Sequence, residues 1–211
     1  MAANDAVYEM LGMAGQIDPP YLPEKSVDAS EYTLVLDLDE TLVHYYENDD
    51  EGGNFRIRPF ALQFLKEMSD LYEVVIFTAA AQDYADWVLD SIDPDGLISH
   101  RLYRQHCTPR GTVFTKDLTR IGRDLSKCLI IDNVAENFQI HPDNGIFILS
   151  WFDDMEDTVL EEMAPLLKEL VRAKVKDVRV ALKRYRDQML RQLAAGVTNP
   201  HLNIKRCSPT P

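Results

Sequence analysis

The sequence contains no run of about 18 apolar residues, so no segment reads as a membrane-spanning helix. Its first residues, MAANDAVYEMLGMAG, lack the basic stretch and continuous apolar core of a secretory signal. They also carry acids that transit peptides avoid, so neither kind of leader is expected. Cysteine is scarce: Cys107, Cys128 and Cys207 are odd in number and widely spaced. That argues against a disulfide framework and suits a reducing intracellular compartment, nucleus or cytoplasm. His100, His106 and Cys107 lie close together but lack the ligand spacing of a zinc site. The run Asp49-Asp50-Glu51-Gly52-Gly53 is too short for a calcium-binding EF-hand loop and reads as a solvated turn. Internal repeats and low-complexity stretches are also missing.

What is present is a chain of 211 residues with 45% apolar content, enough for one domain with a sizeable core. The net charge of −13 is unevenly spread. Residues 1–171 hold 12 Lys and Arg against 33 Asp and Glu, whereas residues 172–211 hold 10 against 2. An acidic body therefore carries a basic appendage.

Four runs rich in β-formers punctuate the body: YTLVLDLD (32–39), YEVVIFT (72–78), KCLIID (127–132) and GIFILS (145–150). Each is apolar without clean alternation, the pattern of strands buried on both faces. Between the first two, Phe60, Phe64, Leu65 and Met68 mark one face of a helix. After the second, Tyr84, Val88, Leu89 and Ile92 mark another. Strands alternating with helices predict an α/β fold with a covered parallel sheet. In SWFDDMEDT, the acids Asp153, Asp154 and Asp157 are expected at a helix start, where the helix dipole favours them. Pro165 is expected to limit or kink that helix.

The ends of these strands carry the chemistry. The first ends in Asp37 and Asp39, the second in Thr78, the third in Asp132 and Asn133. Ligands of open α/β sheets bind outside the carboxyl ends of the strands, so these groups should meet along one edge. Any one of them alone reads as a turn or cap residue; three strands ending this way do not. Residues i and i+2 of an extended segment point the same way, so Asp37 and Asp39 can face one reacting centre. Neighbouring carboxylates drive their proton affinities apart, giving one anion and one acid. The anion can attack phosphorus to form an aspartyl-phosphate, while its neighbour protonates the departing alcohol and later activates water. Attack on a phosphate dianion needs counter-charge, for which Mg²⁺ is suited by its preference for hard oxygens. Asp132 and Asn133 can supply further oxygens, and Lys116, in VFTKDLTRIG, offers a cation for the phosphoryl group.

At this point a resemblance is plain. LDLDETLVH, VVIFTAA, VFTKDLTRIGRDLSKCLIIDN, HPDN and SWFDDMEDT together resemble the small C-terminal-domain phosphatases of the haloacid dehalogenase superfamily. These are also called nuclear LIM interactor-interacting-factor-like phosphatases. The likeness covers roughly residues 31–172, with the motifs in the family's order. It implies a Rossmann-like, three-layer fold with a parallel central sheet and no large cap domain. The implied activity is Mg²⁺-dependent phosphoserine/phosphothreonine hydrolysis on phosphorylated protein segments. Carried over by residue, Asp37 matches the nucleophile and a metal ligand. Asp39 matches the general acid/base, its backbone carbonyl on the metal. Thr78 matches the phosphate-binding hydroxyl, Lys116 the charge-neutralising lysine, and Asp132 and Asn133 the metal-site pair. Tyr84 and Arg104 match positions that contact the peptide substrate.

Two departures matter. Members commonly carry a longer hairpin between DLDETLVH and RP, shaping an apolar pocket for a proline beside the phosphoserine. Here only YYENDDEGGNFRI separates His44 from Arg58, which puts specificity for the RNA polymerase tail in doubt. The family also often has a larger apolar residue near Ala81. Two other functions compete with the phosphatase: a catalytically silent scaffold or receptor subunit, and a small-metabolite phosphatase. The first sits poorly with intact Asp37, Asp39, Lys116 and Asp132. The second usually needs a large cap, for which intervals 45–57 and 79–115 leave no room.

These boundaries divide the chain into an N-terminal extension (1–30), a catalytic domain (31–172), a basic amphipathic helix (173–196) and a tail (197–211). Val175, Val178, Leu182, Tyr185, Met189 and Leu193 form one apolar stripe of a helix over roughly 174–194, flanked by seven cations. That helix can pack on the acidic body, dock a partner protein, or meet an anionic polymer or membrane. No direct nucleic-acid contact is expected.

Overall fold

The computed structural model describes residues 17–48 and 52–196. Residues 1–16, the acids at 49–51, and residues 197–211 with Cys207 lie outside the described residues. In chain order the elements are β1 (Thr33–Leu36), β2 (Val43–Asn48), β3 (Gly52–Ile57), α1 (Ala61–Ser69), β4 (Glu73–Phe77), α2 (Gln82–Ile92), β5 (His100–Leu102), β6 (Thr108–Arg110), β7 (Val113–Thr115), β8 (Cys128–Asp132), β9 (Gly145–Phe147), α3 (Val159–Arg172) and α4 (Val178–Ala194). Among the described residues no helix is long and apolar enough to cross a membrane.

The central sheet has five strands in the order β5-β4-β1-β8-β9, every pairing parallel. Because side chains alternate across a strand, each face builds its own core. Leu34, Leu36, Val74, Ile76, Leu129 and Ile131 pack into one cluster with the buried faces of α1, α2, α3 and α4. Val35, Val75, Phe77, Cys128 and Ile130 face a second cluster, closed by Leu22, Cys107, Leu118, Ile121 and Phe138. The three layers are unequal: four helices lie on one side, 3-10 turns and loops on the other. Leu22, ahead of residue 31, is part of this packing. The fold is a Rossmann-like α/β architecture, a parallel sheet between a helical layer and a layer of 3-10 turns and loops.

Several local expectations need correction. Phe60 is left-handed (φ 64°) and precedes α1, leaving its ring half exposed off the helix face. Asp153 and Asp154 lie ahead of the helix, since α3 begins at Val159 and its first-turn acids are Glu161 and Glu162, whereas Asp157 does stand at its start, accepting from Val159 N at 3.3 Å. Asp157 also accepts from the buried Arg58, in two 2.8 Å bonds from Nε and Nη2. Pro165 sits inside α3 without ending it, because the surrounding buried face of Leu160, Met163, Ala164, Leu166 and Leu167 pins the helix to the sheet. The last helix starts at Val178, not 174. Lys174 is left-handed (φ 48°), and Asp177 caps the helix by accepting from Arg179 N. Val175 lies in the link, its carbonyl taking Tyr32 Oη at 2.8 Å. Val178 and Leu182 are buried in the core, whereas Leu190 and Leu193 are exposed. Two hairpins, β2–β3 and β6–β7, fill the intervals where no cap was expected.

At the sheet's other edge, Glu73 is buried and receives Arg123 Nη2 at 2.6 Å, Arg123 Nε at 2.7 Å and Thr33 Oγ1 at 2.9 Å. Burial alone would raise its pKa, but the Arg123 and Thr33 hydrogen bonds override it and hold the carboxyl at about 2. A depressed folded-state pKa gives stability above the unfolded value near 4.5 that is lost as pH falls toward 2. Urea unfolding of the wild type should therefore lose on the order of 2–3 kcal/mol across that window. Glu73→Gln should flatten the profile there; an unchanged slope would contradict the assignment.

Candidate active site

The first central strand runs straight into the site. Asp37 N donates to Ile131 O (3.0 Å), continuing the β1–β8 ladder one residue beyond β1. Leu38 then enters the core while Asp37 and Asp39 turn into the cleft, the alternation expected of an extended segment. After Asp39 the chain reverses, with Leu42 N and Val43 N both donating to Leu38 O. Arg58 clamps this reversal: it is 1% exposed, and its Nη1 donates to Thr41 O and Leu149 O while Asp157 holds its other edge. Thr41 Oγ1 in turn donates to Asp37 Oδ2 at 3.1 Å.

Lys116 closes the site from the loop after β7. Its ammonium is fully buried and donates to Asp37 Oδ1 at 2.5 Å and Asp132 Oδ2 at 2.6 Å. Asp132, at the end of β8, also accepts from Val134 N (2.8 Å) and from Asn137 Nδ2 (3.2 and 3.3 Å). Asn137 carries a second bond, its carbonyl accepting from Lys116 N at 2.6 Å. Burial, reinforced by the Asp132 charge, outweighs Lys116 and lifts Asp37 to about 7. Burial opposes the charge on Lys116, but the two carboxylates override it and hold its pKa above the ordinary lysine value. Asp39 is raised by burial, against the hydrogen bond it takes from Tyr84.

Tyr84 Oη donates to Asp39 Oδ1 at 2.6 Å, and Thr78 Oγ1 lies 3.5 Å from Asp39 Oδ2 while accepting from Ala80 N. The resulting cleft, about 590 Å³, is open on its flanks. Asn133 is on its rim, its amide nitrogen bound to Ser150 Oγ at 2.9 Å. Arg104 is on the opposite wall, bonded to Ala79 O (2.7 Å) and stacked over Phe114 at 5.4 Å. All eight residues singled out from the sequence thus meet at one cleft or in its floor. Thr41, Asn137 and Tyr45 also belong to it. Thr41 was readable from its place four residues after Asp37 in LDLDET; Asn137 and Tyr45 carry no local signal.

The chemistry of the floor is set by its charges. Three carboxylates, Asp37, Asp39 and Asp132, face one ammonium. Among the described residues no three His, Cys, Asp or Glu side chains form a ready metal cage. Two clustered carboxylates with a rim amide do suit an ion that keeps several waters and takes one or two protein carboxylates, as Mg²⁺ does.

Removing the ammonium should be costly, because it strands two buried anions. In metal-free buffer, Lys116→Met should lose about 3–5 kcal/mol of unfolding free energy, and adding Asp132→Asn should restore part of it. A loss below about 1 kcal/mol, the range of an exposed pair, would refute a buried bridge.

Comparison with known proteins agrees with this geometry. Residues 32–179 match the family described as NLI interacting factor-like phosphatase. The chain is 42% identical over 170 residues to a probable C-terminal domain small phosphatase of Dictyostelium discoideum, covering 74% of this chain and 55% of that protein. It is 39% identical over 181 residues to the human carboxy-terminal domain RNA polymerase II polypeptide A small phosphatase 1, covering 78% of this chain and 69% of the relative. The chain thus spans little more than half the length of the first relative. Among solved structures, Fcp1, described as an essential RNA polymerase II CTD phosphatase, shares the fold with a TM-score of 0.56 at 19% identity, covering 81% of this chain and 67% of that one. With its motifs gathered at one cleft and the match running through most of its length, the chain belongs to the NLI interacting factor-like phosphatase family.

Proposed function

We propose that this protein is a Mg²⁺-dependent phosphoserine/phosphothreonine protein phosphatase working through an aspartyl-phosphate on Asp37. The observation that carries this reading is the Asp37–Lys116–Asp132 bridge beside Asp39, at the floor of an open cleft of about 590 Å³. Asp37 and Asp132 would hold the metal, with the Asp39 carbonyl and Asn133 completing the protein's share. When bound, the ion supplies positive charge to the phosphoryl oxygens and keeps Asp37 anionic.

The chain's own residues account for the rest. An Asp37 carboxylate oxygen attacks phosphorus, a new P–O bond forms, and the bond to the serine or threonine oxygen breaks. Asp39 gives its proton to that leaving oxygen. Asp39, now anionic, takes a proton from water as the water oxygen attacks the same phosphorus. The Asp37–phosphorus bond breaks, releasing phosphate and restoring the carboxylate. Lys116 neutralises charge on the floor throughout, and the Thr78 hydroxyl is positioned beside the phosphoryl oxygens. Tyr84 and Arg104 flank the path of the substrate chain. A silent scaffold would have no use for three buried or half-buried acids around one lysine, an arrangement that opposes folding.

Asp37→Asn should fold but lose turnover by on the order of 10⁴-fold, since an amide is no nucleophile. A tenth of wild-type activity remaining would exclude the mechanism. EDTA should abolish hydrolysis, with Mg²⁺ restoring it and raising the melting temperature of wild type more than that of Asp132→Asn. Full activity in EDTA, or equal shifts, would remove the metal. With no large cap over the cleft among the described residues, phosphoserine peptides should exceed sugar phosphates in kcat/KM, and the opposite ranking would overturn the substrate class.

A further inference from the structure

The short hairpin β2–β3 stands beside the cleft, and its contacts reach the acid/base carboxylate. Tyr45, on β2, meets the Tyr84 ring edge-on, with centroids 5.5 Å apart and planes at 83°. Tyr84 is the residue whose hydroxyl donates to Asp39 Oδ1 at 2.6 Å. Tyr45 itself lies over Gly53 of the partner strand: a Cβ there would fall 2.6 Å from Tyr45 Cε2 and 2.7 Å from Cζ, and against its hydroxyl. A second aromatic pair, Phe55 on β3 with Trp87 on α2 (5.1 Å, 88°), fastens the same hairpin to the same helix. Gly53 is exposed and does not line the cleft, so its effect on the site passes through Tyr45.

We propose that the hairpin braces the proton donor: Gly53 makes room for Tyr45, Tyr45 fixes the Tyr84 ring, and Tyr84 holds the Asp39 carboxylate toward the leaving oxygen. Tyr84 and Tyr45 are then positioning residues, separate from any contact Tyr84 makes with a peptide. The reason such bracing is needed is geometric. Asp39 lies on the open side of the floor, outside the Lys116 bridge that fixes Asp37 and Asp132. Its partners are the Tyr84 hydroxyl and the longer contact from Thr78. A hydroxyl bond to one carboxylate oxygen leaves the other directed at the substrate; misplacing Asp39 slows the step that needs its proton and the later water attack, and kcat/KM reads the first of these.

The inference rests on the phosphatase reading and is tested with small esters that do not reach the cleft flanks. kcat/KM is compared for phenyl phosphate, whose leaving group needs protonation, and 2,4-dinitrophenyl phosphate, whose leaving group does not, with Mg²⁺ present. Gly53→Ala should lower kcat/KM for phenyl phosphate by about tenfold or more while leaving the dinitrophenyl ester within about twofold, and Tyr84→Phe should lower the ratio of the two at least as far. The double variant should be no worse than Tyr84→Phe alone, because both break one chain of contacts. Parallel losses on the two esters would indicate general damage and overturn the bracing, as would an unchanged ratio in either variant. Wild-type protein that hydrolysed neither ester would overturn the phosphatase reading along with it, so the two failures are distinguishable.

Discussion

A single buried ammonium holds this site together. Lys116 has no access to water, and it bonds directly to Asp37 and Asp132, at 2.5 and 2.6 Å. Those carboxylates stand at the ends of the two central neighbouring strands, paired through Leu36↔Ile131. The bridge therefore joins the sheet's carboxyl edge to the loop after β7. Its neighbours serve the same end: Asn137 ties the Lys116 backbone to the Asp132 side chain, and Thr41 orients the far oxygen of Asp37. Such an arrangement is poor for stability and useful for chemistry, since groups already stripped of water need little reorganisation when charge moves.

A second buried cation does for the backbone what Lys116 does for the side chains. Arg58 holds the reversal after Asp39, the segment following β9 and the approach to α3 through Thr41 O, Leu149 O and Asp157. With the floor fixed by two cations from within, the site does not depend on a lid for its geometry. The cleft can therefore stay open. The hairpin and α2 then supply an aromatic wall rather than a cover.

Much of this was legible in the sequence because it follows from position along strands. Apolar runs ending in Asp37, Asp132 and Thr78 predicted a parallel sheet with one reactive edge, and the register delivers all three there. Lys116 was readable only from the constellation of acids that wants a cation: nothing local tells a buried lysine from a solvated one, and its burial depends on carboxylates distant in sequence. Asp157 was legible only in part: it does stand at the start of α3, but its bond to a buried guanidinium ninety-nine residues away carries no local signal. The late start of α4 came from the left-handed Lys174, and Phe60 left the helix because it is itself left-handed; periodicity reveals neither. The role of Gly53 lay in a cross-strand approach that no spacing encodes.

The central claim is that Asp37, held by Lys116, becomes covalently phosphorylated. It is tested most directly by quenching the protein during turnover of a phosphoserine peptide, reducing with borohydride and sequencing the chain by mass spectrometry. An acyl phosphate at Asp37 is reduced to homoserine, so homoserine at position 37 and at no other aspartate is the predicted result. Active turnover that leaves Asp37 unmodified, or places homoserine at Asp39 or Asp132 instead, would contradict it.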